Sequence, residues 1–308
     1  LHIRKPQKTE YSYWSTKDFK AQLKLFRDFH SNNIKSSSKQ YYRDTIGEYN
    51  AVYNRFMVGS DQTWSPIVST SPYSISFLPF VKDPSKKCAY APSIGTTNIS
   101  ETYLQILKES LTDFAYLSCR EKANAITSYL GRTVEYVLDP TLLLDKEEWM
   151  RLSEPIEMPL KYILCYILGT KKNIYEYAVN LAQENNIPLY IIVTRPKYLH
   201  YSNALMDVSV GQFISLIESA SCVVTDSFHG SLFSINLGTN FYAFAKREQT
   251  KGMNDNDRIG DFLNVVGLLN RLKGDEEITF EKDIDFNAVY DALEPLRVSS
   301  FSYLKQII

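Results

Sequence analysis

Cysteine is scarce in this sequence and never occurs in the spacing that zinc sites use. The chain has four cysteines in 308 residues, and no C-x-x-C pair is among them. Cys88, Cys165 and Cys222 each lie within short apolar runs that are typical of buried strands. We therefore expect reduced, buried thiols rather than disulfides or zinc ligands, which favours a cytoplasmic protein.

Long apolar runs and blocks of a single charge are also missing. No apolar stretch approaches the roughly 20 residues that a membrane-spanning helix needs, and the first residues lack a signal-peptide core. Lysine and arginine total 34 against 35 aspartates and glutamates, which gives a formal net charge of -1. We therefore expect no transmembrane segment and no nucleic-acid partner.

The most informative segment that is present runs from residue 222 to 238. A short apolar run meets the polar residues Asp226 and Ser227 and restarts as an apolar stretch of helical period, which predicts strand, turn and helix. In open α/β sheets such a turn faces the ligand crevice, and the free helix amides attract anions. His229 is interpreted as a catalytic or anion-binding histidine, the alternative being a histidine that only hydrogen-bonds its own turn. Asp226 and Ser227 are equally well explained as helix caps.

Strands and helices alternate along most of the chain. Near-continuous apolar strands separated by helices predict an α/β fold with parallel sheets covered on both faces. A chain of 308 residues is long enough for two cores, because single cores stop growing near roughly 250 to 300 residues. We predict a Rossmann-like domain over residues 1–150, a second over 151–285, and a C-terminal helix over 286–308 that packs back across the linker.

Two groups of polar residues follow predicted strands of the first domain. In the run Gly59-Ser60-Asp61-Gln62-Thr63-Trp64, Asp61 could accept a proton and Trp64 could stack on a sugar ring; the alternative is a capped turn with a core tryptophan. Arg120 opens a predicted helix, where a guanidinium can clamp a carboxylate or phosphate through two hydrogen bonds. The alternative for Arg120 is an exposed arginine paired with a nearby glutamate.

A third polar stretch lies near residues 246–258. In the run 254–258, aspartates alternate with asparagines, but the glutamate that a calcium loop requires does not follow, so we predict no metal there. Asp257 is interpreted as a helix cap, with Arg258 pointing toward the crevice. Lys246 belongs to a short basic run that is ordinarily a solvated loop and alternatively attracts anions.

Taken as a set, these motifs resemble the polysaccharide pyruvyl transferase family. The segments at 59–64, 118–121, 137–143, 225–230 and 258–259 follow the order and approximate spacing of that family. The resemblance implies two Rossmann-like domains facing a cleft, similar to the GT-B glycosyltransferases. It also implies transfer of pyruvate from phosphoenolpyruvate to two hydroxyls of a glycan sugar, forming a cyclic ketal. No cofactor is implied beyond this donor substrate.

The resemblance implies further properties. The acceptor would be a saccharide or a lipid-linked glycan for the bacterial cell surface, modified on the cytoplasmic side or at the periphery of the inner membrane. The candidate residues then take three roles: catalytic, His229 and Asp61; donor-binding, Arg120, Arg258, Ser227, Asp226, Gly230 and Lys246; acceptor-binding, Gly59, Ser60, Gln62 and Trp64.

The sequence departs from the family pattern in two places. Relatives usually begin with a strand and an Asn-x-Gly-Ala type of loop, and nothing before Gly59 matches it, so we expect that strand to be absent from this chain. Many relatives carry an arginine where this chain has Ser227. Two alternatives therefore stay open: a GT-B glycosyltransferase that uses a nucleotide sugar, and a glycan-binding relative without catalytic activity.

Overall fold

A computed structural model describes residues 17–37, 41–42, 45–96, 99–121, 124–171, 173–244, 257–274 and 283–308, with the side chains of all but 17–18, 124–125 and 257–258. The α-helices of this part of the chain are α1 (Lys17–Asn33), α2 (Glu101–Leu111), α3 (Asn124–Leu130), α4 (Lys146–Met150), α5 (Asn173–Asn185), α6 (Val210–Ser219), α7 (Phe228–Leu237), α8 (Asp257–Val265) and α9 (Phe286–Ile307).

The strands are β1 (Phe56–Val58), β2 (Lys87–Ala89), β3 (Ser118–Cys119), β4 (Glu135–Tyr136), β5 (Ile163–Tyr166), β6 (Leu189–Ile192), β7 (Ala204–Leu205), β8 (Cys222–Thr225), β9 (Phe241–Phe244) and β10 (Leu272–Lys273). Every strand pair in the described residues is parallel. The prediction of an α/β fold with parallel sheets is confirmed.

The chain divides into two compact units that are not contiguous in sequence. The first unit comprises residues 39–144, 247–269 and 285–308, and the second comprises 1–38, 145–246 and 270–284. Helix α1, which the sequence-based domains place at the start of the first domain, groups with the second unit. Helix α8 lies in sequence between β9 and β10, which belong to the second unit, but groups with the first unit.

The first unit is built on short parallel strands. Strand β1 pairs with β2, and β3 pairs with β4, while an isolated bridge joins Cys88 to Tyr116. Helix α9 packs on this unit: Tyr303 Oη donates to the carbonyl oxygen of Ala89 at 2.9 Å, and Ser300 Oγ accepts from the backbone N–H of Leu138 at 2.9 Å. These two bonds fix the helix beside strand β2 and the segment after β4.

The second unit contains a six-stranded parallel sheet in the order β10-β9-β8-β5-β6-β7. The chain builds outward from β5 through β6 to β7, then returns to the other side of β5 and builds outward through β8, β9 and β10. Strands β5 and β8 are therefore the neighbours at which the direction of winding reverses, with Tyr166 opposite Thr225. Ligands of open α/β sheets bind beside the carboxyl ends of such a pair.

Two further expectations concern cysteines and membrane spans. All four cysteines are unpaired and buried, which was predicted for Cys88, Cys165 and Cys222. Among the described helices, none combines the length and the apolar character that a bilayer crossing demands.

Candidate functional site

The carboxyl end of β8 is tied to the carboxyl end of β5 by Asp226. Its two carboxylate oxygens accept hydrogen bonds from the backbone N–H groups of Leu168 and Gly169, each at 2.6 Å. Thr225 Oγ1 strengthens the same junction by donating to the carbonyl oxygen of Tyr166 at 2.6 Å. Asp226 therefore fixes the loops that form this edge of the sheet.

Ser227 and Gly230 shape the first turn of α7. The Ser227 hydroxyl accepts from the backbone N–H of Gly230 at 3.2 Å, which makes Ser227 the N-cap of the helix. A Cβ atom at position 230 would lie 2.7 Å from Thr225 Oγ1 and 3.0 Å from Tyr166 Cδ1. Only glycine lets the helix start this close to the two strands.

His229 lies at the second position of α7 and lines a cavity of about 380 Å³. Its ring packs edge-on against Phe228 with the centroids 5.6 Å apart, and the residue is half-buried. Its wall is formed by α1, the ends of β5 and β6, the loop after β6, the start of α6 and the first half of α7. Its other lining residues are Phe19, Gln22, Leu23, Phe26, Tyr166, Ile192, Val193, Thr194, Val208, Ser209, Val210, Phe213 and Phe233. The motif thus presents its histidine to this cavity while its aspartate, serine and glycine build the turn.

The described lining of this cavity is poor in charge. It contains neither lysine nor arginine among the residues that the structure describes. Burial, and secondarily the Asp226 carboxylate, raise the pKa of the Tyr166 phenol, so this side chain stays neutral. Lys246 lies outside the described residues, as does the side chain of Arg258, whose backbone falls in the first turn of α8.

A second group of candidate residues lies in the first unit, centred on Arg120. Arg120 Nη1 donates to Asp139 Oδ2 at 2.6 Å and to Ser60 Oγ at 3.2 Å, and Ser60 Oγ donates to Asp139 Oδ2 at 2.8 Å. Arg120 Nη2 lies 3.4 Å from Asp61 Oδ1. The guanidinium is thus buried beside one carboxylate and faces a second one.

Asp61 adopts a backbone conformation that is rare for residues other than glycine. Its φ of +77° lies in the left-handed region, and its carbonyl oxygen accepts from the backbone N–H groups of Thr63 and Ser93, each at 2.7 Å. Its side chain is 72 % exposed. The loop therefore holds the Asp61 backbone in place and leaves its carboxylate accessible to a proton or a hydroxyl.

The other candidates in this loop have different surroundings. Trp64 is 1 % exposed, packs against Phe77 and Phe114, and donates from Nε1 to the carbonyl oxygen of Ser76 at 3.1 Å. The ring is therefore part of the core, which was the alternative given for it above, and it offers no face to a sugar, which corrects its suggested stacking and acceptor-binding roles. Gln62 packs beside Gly95, where a Cβ atom would lie 3.2 Å from Gln62 Nε2, while a Cβ at Gly59 would meet no atom within 4 Å.

Comparison with known proteins decides the family. A model of the family described as polysaccharide pyruvyl transferase matches residues 6–246. The chain belongs to this family. The match spans the Asp61 loop, the Arg120 cluster and the His229 motif, and it ends just before the segment that holds Arg258.

Comparisons with curated proteins and with solved structures add little to the family match. No curated protein matches this member of the family. The crystal structure of Arabidopsis thaliana UGT89C1 complexed with quercetin is similar, with 13 % identity, a TM-score of 0.41, and coverage of 99 % of this chain and 75 % of that one.

Two residues of this pyruvyl transferase family member were missed by sequence reasoning. Asp139 is 3 % exposed and holds Arg120. Glu121 accepts from the backbone N–H groups of Ile94 and Gly95 at 3.1 and 3.2 Å, and from the Ser93 hydroxyl. Both residues stand inside motifs of the resemblance, at 137–143 and 118–121, which is the signal that could have revealed them.

Metal-ligating side chains are not clustered in the described part of the chain. This part contains no group of three or more histidine, cysteine, aspartate or glutamate side chains placed to hold a metal ion. Residues 254–256, in the acidic run considered above, lie outside the described part.

Proposed function

We propose that this chain transfers pyruvate from phosphoenolpyruvate to two hydroxyls of a sugar within a glycan, forming a cyclic ketal and releasing phosphate. Membership of the family supports the transfer of a pyruvyl group to a polysaccharide. The choice of phosphoenolpyruvate as the donor and of a cyclic ketal as the product goes beyond what family membership supports.

The observation that carries the proposal is that the residues of the His229 motif have different roles in the structure. Asp226, Ser227 and Gly230 are engaged in building the turn, whereas His229 lines a cavity beside the two strands at which the winding reverses. Histidine is the side chain that enzymes use most often to donate or accept protons. We assign His229 as the acid or base of the reaction.

The proposed reaction needs one proton delivered and two removed. Protonation of the donor's methylene carbon makes the neighbouring carbon electrophilic, and a sugar hydroxyl adds to it and loses its proton. The second hydroxyl then displaces phosphate from the same carbon and loses its proton. One of the two released protons replaces the proton consumed, and the other leaves with phosphate or solvent. The final carbon holds a methyl group, a carboxylate and two sugar oxygens.

The remaining roles follow from charge. Phosphoenolpyruvate carries a phosphate and a carboxylate, so donors or cations must hold it. We propose the amides at the start of α7, Arg120, Arg258 and Lys246 for this task, and Asp61 as the base for an acceptor hydroxyl. Two carboxylates already lie beside the Arg120 guanidinium. Arg120 can therefore bind the donor only through its Nη2 side, which faces the exposed carboxylate of Asp61. The scheme requires no metal.

Thermal unfolding of the purified chain tests the donor. We expect phosphoenolpyruvate to raise the Tm, because a ligand that binds only the folded state stabilises it. UDP- and GDP-sugars are the comparison. A rise with nucleotide sugars alone would support the glycosyltransferase alternative, and no rise with either class would support a relative without catalytic activity.

A pair of histidine variants tests the role of His229. We expect His229→Ala to lower acceptor-dependent phosphate release from phosphoenolpyruvate by about 10²- to 10⁴-fold, the usual contribution of acid–base catalysis. His200→Ala is the control, because His200 is exposed and does not line the cavity. Full turnover and an unchanged pH profile in His229→Ala would remove His229 from the chemistry.

A further inference from the structure

The cavity beside His229 has a lining that does not suit phosphoenolpyruvate. Apolar side chains, among them several from α1, α6 and α7, make most of its described wall, which holds no lysine or arginine. Moving a multiply charged anion into such surroundings is strongly unfavourable unless cations or several donors replace its water. The described part of the wall therefore offers little to replace the water of such an anion.

A sugar ring does not suit the cavity well either. Two of the polar side chains in its wall are already engaged by the protein: Thr194 Oγ1 donates to the carbonyl oxygen of Ile167, and Ser209 Oγ donates to Glu154 and accepts from the backbone N–H of Gln212 at 3.0 Å. A buried sugar would bring several hydroxyls, and each one left without a partner costs free energy. An uncharged ligand with few polar atoms fits this wall better.

Helix α1 is the element that turns the sheet edge into a cavity. Phe19, Leu23 and Phe26 are spaced four and three residues apart, so they share one face of the helix. Phe19 also packs against the core of the second unit, while Phe26 remains 47 % exposed. A volume of about 380 Å³ lies within the roughly 300–1,000 Å³ of small-molecule sites.

We infer that this cavity is a binding site for an uncharged, apolar group, an aromatic ring system or a short aliphatic segment, carried by the acceptor substrate. The inference rests on the proposed function for the identity of the ligand as an acceptor, because it places the apolar group next to the histidine that handles protons. It leaves the charged groups of the donor to the residues proposed above, among them the amides at the start of α7 beside His229. It also gives α1 a function in forming a substrate site.

Binding of the uncharged dye N-phenyl-1-naphthylamine to the full chain tests the site, because its fluorescence rises in apolar surroundings. We expect one dye per chain, and binding at least about tenfold weaker in Val210→Phe, since the larger side chain fills the cavity. Val179→Phe is the matched control, because Val179 is a half-buried valine outside the cavity lining. Equal binding to Val210→Phe and the wild type would overturn the inference.

A second variant keeps the test valid if Val210→Phe fails to fold. Phe26→Ala removes an exposed side chain from the cavity wall and should weaken dye binding severalfold. Phe301→Ala should not, because Phe301 is a similarly exposed phenylalanine (42 %) on α9, outside the cavity. Millimolar phosphoenolpyruvate should leave dye binding unchanged. Competitive displacement of the dye by phosphoenolpyruvate would make the cavity a donor site and overturn the inference.

The two proposals can fail separately. If the dye results are as expected but phosphoenolpyruvate does not raise the Tm of any variant, the proposed donor is wrong and the apolar site stands. If phosphoenolpyruvate raises the Tm of the wild type and of Val210→Phe alike, while neither cavity variant weakens dye binding, the donor stands and the apolar site is wrong.

Discussion

Arg120 carries a positive charge that the fold keeps almost entirely out of water. Its side chain is 1 % exposed, and that of Asp139 beside it is 2 % exposed. The carboxylate is further held by Ser60 on one oxygen and by the Thr141 hydroxyl, at 2.8 Å, on the other. A buried ion pair gains little net free energy, but loss of one partner leaves the other charge buried without compensation. The cluster is therefore stable only as a unit.

The change Asp139→Asn tests this unit, because it removes the charge and keeps the shape of the side chain. We expect the free energy of unfolding to fall by about 3–5 kcal/mol, as found when one member of a buried pair is removed. Urea denaturation followed by far-UV circular dichroism measures it.

Asp61→Asn is the matched control for the Arg120 cluster. Asp61 lies 3.4 Å from the same guanidinium, but its side chain is 72 % exposed, and exposed pairs contribute about 0–1 kcal/mol. If the two variants were equally stable, the Asp139 carboxylate would not be what stabilises buried Arg120.

The positions of the candidate residues could be predicted from the sequence, but their structural roles could not. Polar residues at the carboxyl end of a strand mark the edge of a sheet, so the positions of Asp226 and His229 follow from the pattern. The partners of Asp226 lie 58 and 57 residues earlier in the chain, and no local signal names them. The burial of Trp64 similarly depends on Phe114, which another part of the first unit supplies. Roles set by distant contacts require the structure.

At the scale of elements, the packing of α7 against β5 and β8 depends on how closely the helix can start beside these strands. Thr225 Oγ1 donates to the carbonyl oxygen of Tyr166 at 2.6 Å and accepts from the backbone N–H of Ser227 at 3.0 Å. Because both bonds hold this hydroxyl in place, it cannot retreat from an added methyl group on Gly230. The contact between helix and strands is thus limited by one backbone position.

Gly230→Ala should therefore be destabilising even though alanine favours helices. Its Cβ atom would lie 2.7 Å from Thr225 Oγ1, and overpacking of this kind costs about 1–3 kcal/mol. The melting temperature of the variant measures the effect. Gly47→Ala provides the control, since a Cβ there meets no atom within 4 Å; equal melting temperatures for the two variants would show that α7 adjusts at no cost.

The elements themselves were largely predictable, because their signals are local. Strand β8 and helix α7 follow one another within the segment 222–238, in the predicted order of strand, turn and helix. The short edge strands β7 and β10, of two residues each, were not predicted, since two residues show no periodicity. The grouping of α1 with the second unit was also missed, because an amphipathic pattern does not say which surface the apolar face meets.

At the scale of the whole molecule, the sheets bury groups that would ionise in an unfolded chain. Burial raises the pKa of Cys222 to about 12, and burial, with smaller effects from Cys222 and Asp226, raises the pKa of Cys165 further. Burial also raises the pKa of the Cys119 thiol, with the nearby Glu121 carboxylate as the second cause. Burial likewise raises the pKa of Tyr136, to about 12. These thiols and this phenol stay protonated in the folded protein well above neutral pH.

The stability of the protein should therefore fall in alkaline solution. An unfolded cysteine loses its proton above a pH of about 8.5, whereas folded Cys222 keeps it to about pH 12. Between these values the folded state binds more protons, so the free energy of unfolding falls as pH rises, by up to about 1.4 kcal/mol per pH unit for each such thiol. Urea midpoints measured from pH 7 to 10.5 test this, with Cys222→Ala expected to show a shallower decline. A midpoint independent of pH across that range, or an unchanged slope in Cys222→Ala, would mean that the thiols are not as shielded as their burial indicates.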